Sequence, residues 1–189
     1  MKTAAEIILS GQPASSIIAE LKKTSVIKRQ WSELEKEYDP KKHPVMTDPK
    51  YRDIVEGDGV EKVTRITVGL QKLATQRMRQ LMFGIPVKRI YKPENDTQKE
   101  IAKVIEAIYN RTRINSINME RAKYLFAGCE AATIWYATEE KNEYYGVPSE
   151  IKMRCKNYSP MNGDTLYALF NEFDDLIALS FEYQRKEGE

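Results

Sequence analysis

Apolar residues recur at steps of three and four between Val60 and Tyr91, the central stretch of the chain. The residues that repeat in this way are Val63, Ile66, Leu70, Leu73, Ala74, Met78 and Leu81. This is the period of a helix that buries one face, so we predict a helix over residues 60–83. Gly84 predicts the end of this helix, and Ile85-Pro86-Val87 predicts an extended run that ends at Tyr91.

Basic residues mark the other side of the predicted helix. At about 100° per residue, Arg65, Lys72 and Arg79 fall opposite the apolar face, and Lys62 lies at its border. Arg77 projects into the apolar arc instead, where a guanidinium is costly unless a carboxylate, a carbonyl or a partner surface meets it. We therefore predict that Arg77 pairs with an acidic residue of this fold or, if it is exposed, with a part of the protein beyond this chain.

Helical patterns also precede and follow the central stretch. Short helices are predicted from Thr3 to Leu9, from Pro13 and from about Val26 to Tyr38. Residues 39–59 contain three prolines and two glycines, which predicts a long irregular connection. After the central stretch, Thr97-Gln98-Lys99-Glu100 has the spacing of a capping box, and a further helix is predicted from about Ile117 to Gly128.

Beyond Gly128 the apolar period changes from helical to alternating. Four strands are predicted, at residues 131–137, 151–156, 165–170 and 176–183. The predicted fold class is therefore α+β, with N-terminal helices followed by a small antiparallel sheet of about four strands. We divide the chain into a helical arm with a long loop, residues 1–59, and an α+β domain, residues 60–189.

Composition and charge limit the classes of function. With 41% hydrophobic and 31% charged residues and no apolar run near twenty residues, no membrane span is predicted. The formal net charge of +2 hides an uneven distribution: residues 60–92 carry eight basic residues and one acid, whereas residues 161–189 carry seven acids and two basic residues. Opposite patches on one chain suit head-to-tail docking in a ring or filament, and ordinary solvated surface is the alternative.

The sequence predicts no enzyme chemistry. Cys129, Cys155 and the single histidine, His43, are too few for a zinc site, so both thiols are predicted to be reduced and packed, and His43 to lie on a solvent-exposed loop. No P-loop, nucleophile elbow or converging acid pair appears. We therefore predict no catalytic residues, no metal and no cofactor.

Three short motifs together resemble the portal protein family of tailed bacteriophages. They are Leu81-Met82-Phe83-Gly84-Ile85-Pro86 at the end of the central helix, Phe126-Ala127-Gly128 before the first long strand, and Tyr158-Ser159-Pro160 before the last two strands. The resemblance covers residues 60–185. Portal proteins run to several hundred residues, so it implies that this chain is an N-terminal fragment from the wing region of the ring or a shorter relative.

The resemblance implies a structural role in the virion. A portal is a homo-oligomeric ring, commonly of twelve subunits, at one vertex of the capsid; it takes part in genome packaging and later in head-tail joining. The implied partners are the major capsid protein, the packaging terminase, the head-tail adaptor and the double-stranded DNA that passes through the channel. Assembly is expected in the host cytoplasm, without a membrane.

The alternative function is a helical nucleic-acid-binding domain. In it, the basic side of the helix over residues 60–83 would contact phosphates through Lys62, Arg65, Lys72 and Arg79. The same four residues would contact a neighbouring subunit in a ring, and a purely solvated face is the third reading.

Overall fold

The computed structural model describes residues 11–24, 30–48, 54–56, 59–61, 64–170, 173 and 175–183. The helix predicted from Thr3 to Leu9 lies outside these ranges, as do the first residues of the helix predicted from Val26. Lys62, one of the four predicted contact residues, is also outside them.

The helices precede most of the strands, which confirms the α+β class. The described helices are α1 (Ala14–Thr24), α2 (Trp31–Tyr38), α3 (Pro44–Thr47), α4 (Leu70–Phe83), α5 (Asp96–Arg111) and α6 (Ile114–Gly128). The described strands are β1 (Ile54–Glu56), β2 (Gly59–Glu61), β3 (Ala132–Asn142), β4 (Ser149–Tyr158), β5 (Thr165–Phe170) and β6 (Leu176–Glu182), with a short 3-10 helix at Pro160–Asn162 between β4 and β5.

Helix α6 is the element around which the others pack. Its buried residues are Ile114, Asn118, Ala122, Tyr124, Ala127 and Gly128. They lie on more than one side of the helix, because α2, α4, α5, β4 and the 3-10 helix all contact it. Gly128 allows the 3-10 helix to approach α6 closely, since a Cβ atom at that position would lie 3.0 Å from Cγ of Met161.

Helix α5 begins two residues earlier than its predicted capping box. Asn95 is the N-cap, and its side chain accepts a hydrogen bond of 2.8 Å from the backbone N–H of Gln98. The side chain of Gln98 in turn accepts one of 2.7 Å from the backbone N–H of Glu94. The predicted box at Thr97 to Glu100 is therefore wrong, because Asn95 occupies the N-cap position and places Thr97 inside the first turn of the helix.

The four strands predicted in the second half of the chain all form, as two antiparallel hairpins. Strand β3 pairs with β4 from Ala132 opposite Tyr158 to Asn142 opposite Ser149, with an irregularity between Glu139 and Asn142. Strand β5 pairs with β6 from Thr165 opposite Glu182 to Phe170 opposite Leu176.

The hairpins do not share a sheet because the chain turns sharply between them. Ser159 is fully buried at this turn, where its hydroxyl donates to the carbonyl of Glu130 over 3.0 Å and its N–H donates to the carboxylate of Asp164 over 3.0 Å. Pro160 has no N–H to continue a ladder, and Gly163 takes the left-handed conformation with φ 82°. The hairpins meet instead through side chains, with the rings of Tyr158 and Phe181 4.5 Å apart.

The connection over residues 39–59 is more regular than predicted, since it contains α3, β1 and the first residue of β2. His43 is the N-cap of α3, and its Nδ1 accepts a hydrogen bond of 3.3 Å from the N–H of Val45. This half-buried capping position corrects the prediction of a solvent-exposed loop histidine.

Helix α4 starts at Leu70, later than the predicted start near residue 60. Residues 64–69 are not helical, and the hydroxyl of Thr67 donates to the carbonyl of Pro40 over 2.9 Å. Gly69 lies so close to Pro40 that a Cβ atom would come within 2.6 Å of that ring. This contact with the preceding connection fixes the chain before α4, so Ile66 precedes the helix and the predicted start near residue 60 is wrong.

None of the helices within the described ranges is long and apolar enough to cross a bilayer.

Candidate subunit interface

Helix α4 packs on the core through its more polar side. Thr75 is 5% exposed, and Arg79 and Phe83 are half-buried on the same side of the helix, one and two turns further on. This side faces α6 and α2, and the amide of Gln71 donates to the carboxylate of Glu37 in α2 over 3.0 Å. The part of α4 that touches the core is therefore not its apolar face.

The apolar residues of α4 point outward. We call this surface the outer α4 face; its members are Leu70, Leu73, Ala74, Arg77, Met78 and Leu81. All six are exposed, Leu70 to 67% and Leu81 to 82%. The periodicity therefore places these residues on one face as predicted, but the expected burial of that face is wrong.

The exposed apolar surface continues past the helix. Ile85, Val87 and Ile90 are exposed in the extended segment that follows Gly84. This segment is held against α5, because the guanidinium of Arg89 lies 3.4 Å from the carboxylate of Glu106 and 4.4 Å from the ring centroid of Tyr109. A contiguous apolar surface of this kind usually marks a contact with another macromolecule.

Of the four predicted contact residues, the three that the structure describes do not form one basic stripe. Lys72 is exposed on α4, while Arg65 lies in the non-helical segment before α4. Arg79 packs toward α2, where its charge lowers the pKa of Tyr38 but less than burial of that ring raises it. The Nε atom of Arg79 is buried and lacks a hydrogen-bond partner among the described residues. This arrangement gives no support to the nucleic-acid-binding alternative, which needs accessible cations along one face.

Arg77 lies at the centre of the outer α4 face. It is exposed, and no carboxylate of the described residues forms an ion pair with it. The predicted pairing with an acidic residue of this fold is therefore not found among the described residues, and pairing with a part of the protein beyond this chain stays a prediction.

A second exposed apolar surface lies on the hairpin of β5 and β6. Leu166 and Phe181 are opposite each other near its base, with Leu166 buried and Phe181 against Tyr158. Alternate residues of a strand share one face, so this apolar face continues outward to Ala168, Phe170 and Leu179. These three residues, which we call the hairpin face, are exposed, Phe170 to 55%.

An ion pair between α1 and β6 attaches the base of the β5–β6 hairpin to the rest of the protein. Lys22 of α1 forms an ion pair of 2.8 Å with Glu182 of β6, and its ammonium lies 5.7 Å from the ring centroid of Tyr167. The hydrogen bond from Lys22 holds the pKa of Glu182 below its ordinary value. The base of the hairpin is thus fixed to the body of the protein while its hairpin face stays uncovered.

The described residues show no metal-binding geometry: no group of three or more His, Cys, Asp or Glu side chains that could hold a metal ion occurs among them. Cys129 is exposed, which corrects the prediction that both thiols are packed, and it adopts a left-handed φ of 61° after the end of α6. Cys155 is half-buried, and burial raises its pKa.

Comparison with protein families decides the class of this chain. A family model described as "Phage portal protein, SPP1 Gp6-like" matches residues 23–189. The chain belongs to the phage portal protein family. Searches of curated proteins and of solved structures found no match. Membership confirms the family that the sequence motifs indicate and assigns the chain a structural role in a phage virion, as part of an oligomeric ring at the capsid vertex.

The three sequence motifs of the resemblance correspond to turning points of the fold. Gly84 ends α4, Gly128 ends α6 beneath Met161, and Ser159 fixes the turn between the hairpins. Residues that the sequence analysis missed include Thr75 and Asn157, both buried polar side chains. No local signal in the sequence indicates the burial of Thr75, because its position opposite the apolar stripe of α4 predicts exposure to solvent.

Proposed function

We propose that this chain is a structural subunit of the portal ring, supporting genome packaging and head-tail joining. The match of the portal family model to residues 23–189 is the observation that carries the proposal. The outward apolar face of α4 supports it, because an exposed apolar surface of this kind usually marks a contact with another macromolecule.

The proposed partners follow from the same role. In the assembled particle the subunit forms a ring of twelve copies and meets the major capsid protein, the packaging terminase and the head-tail adaptor, while double-stranded DNA passes through the channel. Assembly takes place in the host cytoplasm before the virion is complete. Within this scheme we assign residues 60–189 to a wing-like domain and residues 1–59 to an arm. No catalytic step is assigned to the chain.

A nonsense mutation in the gene for this chain tests the proposed function in the phage that carries it. We expect lysates of the mutant to contain heads without DNA and without tails, and expression of the complete protein from a plasmid to restore filled, tailed particles. Native mass spectrometry of the purified complete protein should show one large cyclic oligomer. Filled, tailed particles from the mutant would contradict the proposal.

A further inference from the structure

We propose that Tyr145 closes the free edge of β4, so that no further strand, from a second copy of the chain or from another protein, adds to the β3–β4 hairpin there. The side chain belongs to the connection between the two strands, residues 143–148, and is only 5% exposed. The proposal is independent of the proposed function, which assigns no role to Tyr145.

Strand β4 has an edge that needs protection. Among the described residues, β4 pairs with β3 alone. In an antiparallel pair, residues alternate between those whose N–H and C=O groups point to the partner strand and those whose groups point away from it. The groups that point away are a template for another strand, which leads to strand exchange or aggregation.

Tyr145 binds one of the N–H groups that point away from β3. The N–H of Met153 donates to the hydroxyl of Tyr145 over 2.8 Å. Because this N–H is directed at Tyr145, the alternation along β4 directs the N–H of Ile151 to the same edge. That N–H donates to the hydroxyl of Ser149 over 3.3 Å. Two successive donors at the edge of β4 are therefore bound within the same hairpin.

The turn between β3 and β4 positions Tyr145. The N–H of Tyr144 donates to the side-chain oxygen of Asn142 over 3.2 Å, and the N–H of Gly146 donates to the carbonyl of Glu143 over 3.3 Å. Gly146 adopts a φ of 79°, in the left-handed region that favours glycine. These contacts turn the chain back along β4, so the buried ring of Tyr145 also adds bulk beside the edge.

The rest of the hairpin carries other features that oppose strand addition. Toward its end β4 packs against α6, where Asn157 donates to the carbonyl of Ile117. Strand β3 has an irregularity between Glu139 and Asn142, and residues 139–141 are all charged. Bulges and charges are two of the means by which natural proteins protect a strand edge. The contact of Tyr145 with Met153 protects the part of β4 nearest the turn.

Substitution of Tyr145 by alanine tests this role in the complete protein. Tyr145→Ala removes both the ring and the hydroxyl, so we expect species with a weight-average mass larger than that of the unmodified protein by about twofold or more in sedimentation velocity at high concentration. Tyr144→Ala is the matched control, since Tyr144 is the adjacent ring and is 43% exposed. It should leave the mass unchanged.

A second substitution in the same chain identifies the surface responsible. Met153→Pro removes the N–H that would bind an added strand, and proline is tolerated on an edge strand where the N–H points away from the partner. Tyr145→Ala with Met153→Pro should therefore return to the mass of the unmodified protein. Association that persists in this double variant would overturn the proposal, as would an unchanged mass for Tyr145→Ala alone.

Hydrogen exchange at single-residue resolution tests the same contact without removal of the ring. Tyr145→Phe should accelerate exchange of the Met153 amide by about fivefold, because its acceptor is lost. Exchange of the Arg154 amide, which points to β3 by the same alternation, should change less than about twofold. Equal exchange of the Met153 amide in the Tyr145→Phe variant and the unmodified protein would refute the protection of this edge by Tyr145.

Discussion

Replacement of Asn157 by alanine is expected to loosen the attachment of the first hairpin to α6. Asn157 lies in β4 and is 4% exposed. Its Nδ2 donates to the carbonyl of Ile117 over 2.8 Å and to the carboxylate of Glu120 over 2.9 Å. Its Oδ1 accepts from the hydroxyl of Thr133 over 2.7 Å. One side chain therefore connects α6, β3 and β4 through three hydrogen bonds.

The expected loss in free energy of unfolding is about 3 kcal/mol. Each neutral hydrogen bond contributes roughly 0.5–1.5 kcal/mol, and the bond to the charged carboxylate roughly 1.5–3 kcal/mol. The expected loss is smaller than the sum of the upper values for the three bonds. The reason is that Glu120 is exposed, so its carboxylate binds water again when Asn157 is removed. Thr133 is half-buried and regains water less readily, so its hydroxyl adds to the cost.

Urea denaturation followed by circular dichroism measures this loss. Asn110→Ala is the matched control, since Asn110 is exposed on α5 and its side chain makes no hydrogen bond within the described residues. We expect the control to change the free energy of unfolding by less than about 0.5 kcal/mol. A loss below about 1 kcal/mol for Asn157→Ala would refute the claim that these bonds fasten the hairpin to α6.

Three further predictions concern Cys129, Cys155 and one half-buried ion pair. A thiol reagent at pH 8 should modify the exposed Cys129 well before Cys155, whose pKa is raised by burial, and Cys129→Ser should remove the fast phase. Cys129→Gly should stabilise the protein by about 0.5–1 kcal/mol in thermal or urea unfolding, because glycine adopts the left-handed φ of 61° without strain; no gain would count against strain at this position. The hydrogen bond from Lys152, with a smaller effect of Arg154, holds the pKa of Glu140 below its ordinary 4.5. The stability that this pairing provides is complete above pH 4.5 and is lost as the pH falls through the lower folded pKa, so melting temperatures of Glu140→Gln should depend less steeply on pH below 4.5 than those of the unmodified protein.

The strands were predictable from the sequence because alternation and β-branched residues report local structure directly. All four strands of the second half lie where the pattern places them. Their division into two hairpins was not predictable from that pattern, since it depends on Ser159. A buried serine that joins Glu130 to Asp164 through hydrogen bonds has no periodic signal in the sequence.

Helix ends were less accurately predicted because caps compete over a few residues. Asn95 and Thr97 both have side chains that cap helices, and only the structure shows that Asn95 does so, while the side chain of Gln98 accepts from the N–H of Glu94. At α4 the start is set by a tertiary contact, the approach of Gly69 to Pro40. Contacts between residues so distant in the chain are not visible in a local pattern.

The orientation of α4 shows what amphipathic periodicity does and does not determine. The period groups Leu70, Leu73, Met78 and Leu81 on one face, and the structure confirms that grouping. It does not determine which molecule covers the face. An apolar stripe that the described part of the chain leaves exposed usually marks a contact with another surface. Arg77 fits the same reasoning: a guanidinium within an apolar stripe is costly in a core, but at a subunit contact an acidic neighbour can meet it.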